Sequence, residues 1–318
     1  MAILNFSRWT QLCQLHSLFR FFIILLILNA QALVAQKPYD NSAFADVDGI
    51  SIHYRYWGGE EEEFPGSVLL IHGFGASTFS WQGVADSLNS IGYEVVAVDM
   101  PPFGFSDKSH CINQSITARA VRLHRLLEQE LPGRKWHIAG HSMGGAVAQA
   151  YAILYPEHLY TATFVSGALF TELQRHEQPA RLLLRLSPIP FIIGELAQEW
   201  VIRPRRVTGL LESAYGREPT EEQVQAYLIP LQLYGTSRAI LSAASFSREL
   251  FDLDASEMTV PAIAIWGDAD TWVTYRSRQN TLARMPHVEL ILLEDVGHNP
   301  METHLNEFLD VWLPFLLQ

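Results

Sequence analysis

Cysteine is scarce in this chain, which has two, Cys13 and Cys111, among its 318 residues. Two isolated cysteines at this spacing match no zinc motif. If the N-terminal segment is removed, Cys111 is left alone and no internal disulfide can form. The sequence therefore predicts a fold that depends on packing.

Positive charge is also sparse, with 22 Lys and Arg against 34 Asp and Glu and a formal net charge of −12. Phosphate binding needs clustered basic side chains. The dense basic group at Arg203, Arg205 and Arg206 is interpreted as a solvated helix end. The composition therefore argues against a nucleic acid as partner.

A hydrophobic run long enough to cross a bilayer comfortably, about 18–20 residues, is missing. The N-terminus has instead two arginines and no acidic residue over residues 1–20, then a short apolar run over 21–28, then the small-residue site Ala30-Gln31-Ala32. This order is typical of a secretory signal peptide. Residues 21–35 could also serve as a short uncleaved anchor with its positive end inside, or as a buried helix. We expect residues 1–35 to be a signal peptide or membrane anchor of an exported (periplasmic or secreted) or membrane-anchored protein.

Regular patterns begin after residue 41. Two alternating stretches, Ser42–Val47 and Ile50–Trp57, flank Asp48-Gly49, which predicts a hairpin with a two-residue turn. The continuous apolar run Val68–Ile71 is typical of a strand buried on both faces of a parallel sheet. Further strands are predicted at Tyr93–Val98, Trp136–Ala139, Thr161–Val165, Ala262–Trp266 and Val288–Leu293. Helices are predicted at 79–90, 115–130, Met143–Tyr155, 277–285 and 301–317. This alternation predicts an α/β fold with a doubly wound, mostly parallel sheet.

The alternation lapses between residues 168 and 255. The segment is mostly helical in pattern and is interrupted by prolines that include Pro188, Pro190, Pro204 and Pro219. It is too long for a simple connection inside a compact domain. We therefore expect 168–255 to be a helical lid inserted into a core formed by 42–167 and 256–318.

The segment Gly140-His141-Ser142-Met143-Gly144 has the pattern G-x-S-x-G. A serine hydroxyl is a weak nucleophile unless a base takes its proton. The glycines permit a sharp turn from the preceding strand into the following helix, which would expose Ser142. The amide of Met143 would then lie at the helix N-terminus and point at developing negative charge. His141 occupies a variable position of the pattern, and no catalytic role is expected for it.

Five landmarks in order give the chain a specific likeness over residues 42–318. They are His72-Gly73-Phe74-Gly75, Asp99 to Ser106, the serine motif, Trp266-Gly267-Asp268-Ala269-Asp270 and Gly297-His298. The chain resembles the α/β-hydrolase superfamily, in particular its lidded single-domain branch of esterases and lipases. The resemblance implies an eight-stranded, mostly parallel sheet with an inserted helical lid.

The resemblance also implies the site residues. Ser142 would be the nucleophile, with the backbone N–H groups of Phe74 and Met143 as oxyanion donors. The order Ser, acid, His implies His298 as the base. Asp270 matches the acid by its offset from Trp266-Gly267, and Asp268 is the alternative.

Apolar side chains suggest the character of the substrate pocket. Asp99 is expected to order the loop through Phe103, Gly104 and Phe105, as a wall of this pocket. The other apolar residues are Leu182–Leu184, Phe191–Ile193, Leu231 and Leu233 of the lid, and Phe74 and Phe79 near the mouth. They favour an apolar acyl or alkyl group, although the same residues could simply pack the lid onto the core.

A serine at the nucleophile position favours acyl transfer to water, because similar proteins that dehalogenate or open epoxides carry aspartate there. The expected protein is a serine hydrolase that cleaves a carboxylic ester or similar acyl bond of a small apolar substrate. A carbon–carbon bond hydrolase, a perhydrolase and a catalytically silent binding protein remain alternatives. No cofactor or metal is implied, because the triad and backbone donors suffice.

Overall fold

The computed structural model describes residues 37–58, 66–109, 112–175 and 202–317. One compact unit runs from Asn41 to Gln318. The segment predicted as signal peptide or anchor lies outside the described residues, as do Leu182–Leu184 and Phe191–Ile193. Within the described ranges, no helix has the length and apolarity needed to cross a membrane.

An eight-stranded sheet forms the centre of this unit. Its strands are β1 Ser42–Val47, β2 Ile50–Trp57, β3 Ser67–Ile71, β4 Glu94–Val98, β5 Trp136–His141, β6 Leu159–Val165, β9 Ala262–Gly267 and β10 Glu289–Leu293. Their order across the sheet is β1-β2-β4-β3-β5-β6-β9-β10. β2 is antiparallel to both β1 and β4, and all the other neighbouring pairs are parallel. The prediction of a mostly parallel eight-stranded sheet is confirmed.

The hairpin between β1 and β2 turns at the two predicted residues. Asp48 and Gly49 have φ of 56° and 77°. Two successive positive φ angles are required by the type I′ turn, which fits the twist of a hairpin. The carboxylate of Asp46 also accepts a hydrogen bond from the Gly49 N–H, at 2.8 Å.

Helices cover both faces of the sheet. Their bounds are α1 Gln82–Ser90, α2 Ile116–Glu130, α3 Met143–Leu154, α4 Pro204–Tyr215, α5 Glu221–Gln232, α6 Thr236–Phe246, α7 Gln279–Ala283, α8 Pro300–Thr303 and α9 Leu305–Leu316. The prediction of one helix over 301–317 is wrong, because His304 has φ of −137° and ψ of 56° and separates α8 from α9. The predicted helix at 277–285 is a 3-10 turn, Tyr275–Arg278, followed by the short α7.

The core has two layers because side chains alternate along each buried strand. In β3, Leu69 and Ile71 join the layer that contains α2 and α3. Val68 and Leu70 face the opposite layer, which contains α1 and α9. All four side chains are fully buried, as a parallel strand between two helical layers requires.

Helices α4 to α6 lie in the segment predicted as a lid. A two-stranded antiparallel sheet, β7 (Glu172–Leu173) with β8 (Leu253–Asp254), brings the two ends of this segment together. Val207, Leu211, Val224 and Leu228 form a separate apolar cluster between α4 and α5. Ala76, from the loop after β3, belongs to the same cluster, so α4 and α5 pack on this loop as well as on each other.

Candidate active site

Ser142 lies at the sharp turn between β5 and α3. Its φ of 51° and ψ of −116° fall in a region that a non-glycine residue rarely adopts. A Cβ on Gly140 would lie 2.2 Å from the Gly144 carbonyl oxygen, and one on Gly144 would lie 2.3 Å from the Ile71 carbonyl oxygen. The two glycines therefore allow the start of α3 to cross directly over the ends of β3 and β5.

Adjacent parallel strands bring the predicted oxyanion donors to the same edge of the sheet. Ile71 at the end of β3 pairs with Gly140 at the end of β5. Phe74 follows β3, and Met143 is the first residue of α3, whose N–H no intrahelical carbonyl can accept. The strand pairing therefore places both N–H groups at one edge of the sheet.

His72 holds the loop that carries Phe74. Its Nε2 accepts a hydrogen bond from the Met100 N–H at 2.9 Å, so its Nδ1–H donates to the Gly73 carbonyl at 2.7 Å. Burial lowers the pKa of His72, in keeping with a neutral ring. The sequence motif contained this histidine, but the tertiary contact with Met100 gives it a role as a loop support.

His298 and Asp270 meet at the carboxyl end of the sheet. The Nδ1 of His298 lies 2.8 Å from Asp270 Oδ2, and both side chains are buried. The other oxygen of Asp270 accepts hydrogen bonds from the N–H groups of Trp272 and Val273, at 2.8 and 3.0 Å. Asp268 instead accepts a hydrogen bond from the Asp295 N–H. Of the two candidate acids, the structure brings Asp270 to the histidine.

Two aromatic side chains that sequence reasoning did not assign contact His298. Trp272 stacks on its ring, with centroids 5.7 Å apart and planes at 23°. His141 is buried, and its Nε2–H donates to the His298 carbonyl at 2.9 Å. Burial, and then the nearby His298, hold the pKa of His141 well below its usual value. His141 thus supports the His298 backbone without adding a second positive charge.

A buried carboxyl group links helices α4 and α5 to the loop of His298. Glu302 accepts hydrogen bonds from the hydroxyls of Tyr215 and Tyr227, at 2.7 and 2.6 Å, and from the Asn299 side chain, at 2.8 Å. The His298 N–H donates to the Ala214 carbonyl at 2.7 Å. Burial raises the pKa of Glu302. Its position four residues after His298 gave no sequence signal for this network.

Ser142 and His298 face one cavity of about 400 Å³. Its remaining walls are mostly apolar and come largely from α4 to α6, with residues that include Val207, Leu210, Leu211, Ala214, Leu231, Ile240 and Leu241. Phe74 and Leu231 line the cavity as predicted. Phe103 does not, because it is buried beneath Phe74, with ring centroids 4.9 Å apart. Phe79 packs against the apolar cluster of α4 and α5.

The chain has sequence relatives among known hydrolases. Residues 66–184 match the family model of the alpha/beta hydrolase fold. The chain is 25% identical to Lipase 3 of Moraxella sp. (strain TA144) over 241 residues, which are 74% of this chain and 72% of that protein. It is 26% identical to the 2-hydroxy-6-oxononadienedioate/2-hydroxy-6-oxononatrienedioate hydrolase of Burkholderia vietnamiensis (strain G4 / LMG 22486), over 84% of this chain and 91% of that protein.

A solved structure shares the architecture. The crystal structure of a membrane phospholipase A, a bacterial virulence factor, superposes with a TM-score of 0.65 at 22% identity, over 99% of this chain and 98% of that chain. The fold and these relatives define an α/β-fold hydrolase, similar to carboxylesterases and lipases. The chain has the α/β-hydrolase fold and is similar in sequence to enzymes of the α/β-hydrolase superfamily.

Proposed function

We propose that the protein hydrolyses carboxylic esters with an apolar acyl or alkyl group, through an acyl-enzyme on Ser142. The observation that carries the proposal is one cavity that contains both a serine at a strained strand-to-helix turn and a histidine paired with a buried aspartate. A serine, a base and a group that orients the base are the parts of a nucleophilic triad.

In the acylation step, His298 Nε2 takes the Ser142 hydroxyl proton as Oγ forms a bond to the ester carbonyl carbon. The carbonyl oxygen becomes an oxyanion, which the N–H groups of Phe74 and Met143 stabilise. As the oxyanion collapses, the ester C–O bond breaks and the alcohol leaves with the proton from His298. Asp270 holds the Nδ1–H tautomer and stabilises the imidazolium.

In the deacylation step, water replaces the alcohol. His298 takes a proton from the water, whose oxygen bonds to the acyl carbon. The Ser142 Oγ–C bond then breaks, Ser142 recovers its proton from His298, and the carboxylic acid leaves. Each oxyanion donor is worth about 3 kcal/mol of barrier in enzymes of this kind.

The cavity favours an apolar substrate. Transfer of apolar surface from water into such walls contributes roughly 25 cal/mol per Å². Helices α4 to α6 supply most of these walls, so we propose that they act as a lid over the substrate. Chain-length preference would then follow the space between Ser142 and the residues Leu210, Ile240 and Leu241.

Carbon–carbon bond hydrolysis is the second candidate, because one sequence relative is a 2-hydroxy-6-oxononadienedioate/2-hydroxy-6-oxononatrienedioate hydrolase. That name describes a dicarboxylate, and a dianion is usually bound by arginine or lysine. Among the described residues that line the cavity, none is a lysine or arginine. This lining supports a neutral ester over a dicarboxylate.

The test is hydrolysis of p-nitrophenyl esters from acetate to palmitate by the wild type, Ser142→Ala and the matched control Ser42→Ala. We expect turnover by the wild type and the control, and a loss of several orders of magnitude in Ser142→Ala. A long-chain optimum supports a lipase with the lid as an acyl-binding wall, and a short-chain optimum supports a general carboxylesterase. Equal inertness of all three proteins on every ester would refute the ester proposal.

We also propose that residues 1–35 export the protein or anchor it with its catalytic domain outside the cytoplasm. The basic start, the short apolar run and the small-residue site support this. Mass spectrometry of the protein from its native host should find the N-terminus shortly after Ala32 or Ala35 if the segment is cleaved. An intact N-terminus in the membrane fraction indicates the anchor through 21–35. An intact protein in the cytoplasm would contradict both.

A further inference from the structure

We propose that His124, Glu128 and His158, called here the His–Glu–His cluster, form a binding site for a divalent transition-metal ion, with Zn²⁺ as the best fit. None of the three lines the cavity, and the cluster lies on elements that the proposed chemistry does not use. Two imidazoles and one carboxylate are a common ligand set for zinc.

The fold brings the three side chains to one point. His124 and Glu128 are four residues apart on α2, a spacing that places them on the same helix face. His158 ends the short 3-10 turn Pro156–His158 that follows α3. One ligand atom from each residue lies within 4.8 Å of the other two.

The separations suit a shared ion better than a direct contact. His158 Nδ1 and Glu128 Oε1 are 3.6 Å apart, which is longer than a good hydrogen bond. Ligand atoms at 2.0–2.1 Å around a tetrahedral zinc ion are about 3.4 Å apart. The ligand atoms lie up to 4.8 Å apart, so closing around an ion needs small side-chain rotations, which the 44% exposed side chain of Glu128 permits.

Neighbouring groups orient both rings. His124 stacks on Tyr155, with centroids 3.9 Å apart and planes at 13°, and its Nδ1 lies 3.3 Å from the Tyr151 hydroxyl. Glu157 Oε1 lies 3.6 Å from His158 Nε2. Metal-binding histidines commonly donate their second N–H to such an outer partner, which leaves the other nitrogen for the ion.

The charge around the cluster favours a divalent cation. The carboxylates of Glu128 and Glu157 each lie 3.6 Å from a ring nitrogen of His158 and carry negative charge, which attracts a cation. Glu128 and His158 remain partly exposed, which leaves the fourth position to water. The ion would tie the C-terminal half of α2 to the turn before β6.

The experiment is a Zn²⁺ titration of the EDTA-treated, purified full-length chain by calorimetry, with thermal unfolding in parallel. The variants are Glu128→Gln, His124→Gln and His158→Gln. His287→Gln, at an exposed histidine outside the cluster, is the matched control. The visible spectrum with Co²⁺ reports whether the bound ion is tetrahedral.

We expect one equivalent of Zn²⁺ in the wild type and the control, with Tm raised by roughly 4–8 °C at a free ion concentration about 100 times Kd. Each cluster variant should bind at least about tenfold more weakly and lose the shift in Tm. Because Glu128 is half-exposed, Glu128→Gln keeps the fold, which circular dichroism checks. The absence of binding by folded wild type, or equal binding by wild type and the three variants, would overturn the site.

Discussion

The structure contains two arrangements of serine, histidine and aspartate that look alike in their contacts. In one, His53 Nδ1 lies 2.6 Å from Asp99 Oδ2 and its Nε2 lies 2.7 Å from Ser42 Oγ. In the other, His298 Nδ1 lies 2.8 Å from Asp270 Oδ2, and Ser142 shares a cavity with the ring. By hydrogen bonds alone, the first arrangement is the more complete triad.

The two arrangements differ in access. Ser42, His53 and Asp99 are 2%, 0% and 0% exposed, so no substrate can reach the hydroxyl. The carboxylate of Asp99 also accepts hydrogen bonds from the N–H groups of Thr78 and Phe105. This arrangement therefore ties strand ends and loops together. A nucleophilic serine is therefore recognised by an open cavity and by backbone N–H donors beside it, because both arrangements contain a histidine paired with an aspartate.

The negative charge of the buried Asp99 is stabilised by its neighbours. Burial by itself would raise the pKa of Asp99, but the hydrogen bond and charge of His53 outweigh it and lower that pKa. An acid with a lowered pKa in the fold stabilises the protein above its usual pKa, and this contribution is lost as the pH falls through the lowered value. The buried arrangement is thus expected to contribute to acid unfolding.

The largest expected effect separates the two aspartates. Asp270→Asn should lower kcat by about 10⁴-fold with little change in Tm, because an amide holds the histidine in the wrong tautomer. Asp99→Asn should lower the stability and leave kcat of the folded protein within about twofold. Steady-state ester hydrolysis together with urea unfolding of both variants measures this. A similar loss of kcat in both variants would show that access of substrate to the histidine does not decide which aspartate supports catalysis.

The next largest effect is expected from a glycine substitution that disrupts the buried arrangement of Ser42, His53 and Asp99. Gly104 has φ of 56°, and a Cβ there would lie 1.9 Å from Asp99 Cγ. Gly104→Ala should cost about 3–5 kcal/mol from the strained φ and the clash together. Gly133→Ala is the matched control, because Gly133 has φ of 73° with no heavy atom within 4 Å of an added Cβ. It should cost only about 1–2 kcal/mol in urea unfolding. Equal losses of stability in the two variants would show that Asp99 moves to make room for the new methyl group.

Glu302 differs from both aspartates, because its buried carboxyl group accepts hydrogen bonds from two tyrosines and an asparagine in place of a histidine. Its pKa is raised by burial, so the fold binds its proton more tightly than the unfolded chain does. Its contribution is present below the usual pKa of glutamate and is lost as the pH rises through the raised value. Glu302→Gln cannot ionise, so its stability relative to wild type should rise with pH in this window, by up to about 1.4 kcal/mol per pH unit. Urea unfolding at a series of pH values measures it, and parallel curves would contradict it.

The smallest expected effect compares the two serines. Ser42→Ala removes the hydroxyl from His53 Nε2 and should cost about 1–2 kcal/mol of stability. Its kcat should match the wild type, whereas Ser142→Ala should be nearly inactive. Denaturant unfolding and ester hydrolysis of the same preparations test both statements. A loss of activity in Ser42→Ala at full folding would link the buried arrangement to the chemistry.

Much of the fold followed from local patterns. The hairpin turn at Asp48 and Gly49, the fully apolar β3 and the serine motif between a strand and a helix all have short-range causes. Helix bounds were less predictable where tertiary packing intervened. His304 continues an apolar helical pattern, but the chain leaves helical geometry there, which ends α8 and starts α9.

For the site, the amino-acid order established the available residue types: a serine between a strand and a helix, a late histidine and an aspartate after a strand. Which of these groups meet follows from the tertiary structure. In the folded chain Asp270, and not Asp268, contacts His298. His141 donates to a carbonyl 157 residues away, and His53 contacts Asp99, which is 46 residues away. Periodicity reports which face of an element is buried, because burial acts on each side chain locally. Pairings between distant side chains depend on strand order and on the packing of loops at strand ends, so a single sequence carries no local signal for them.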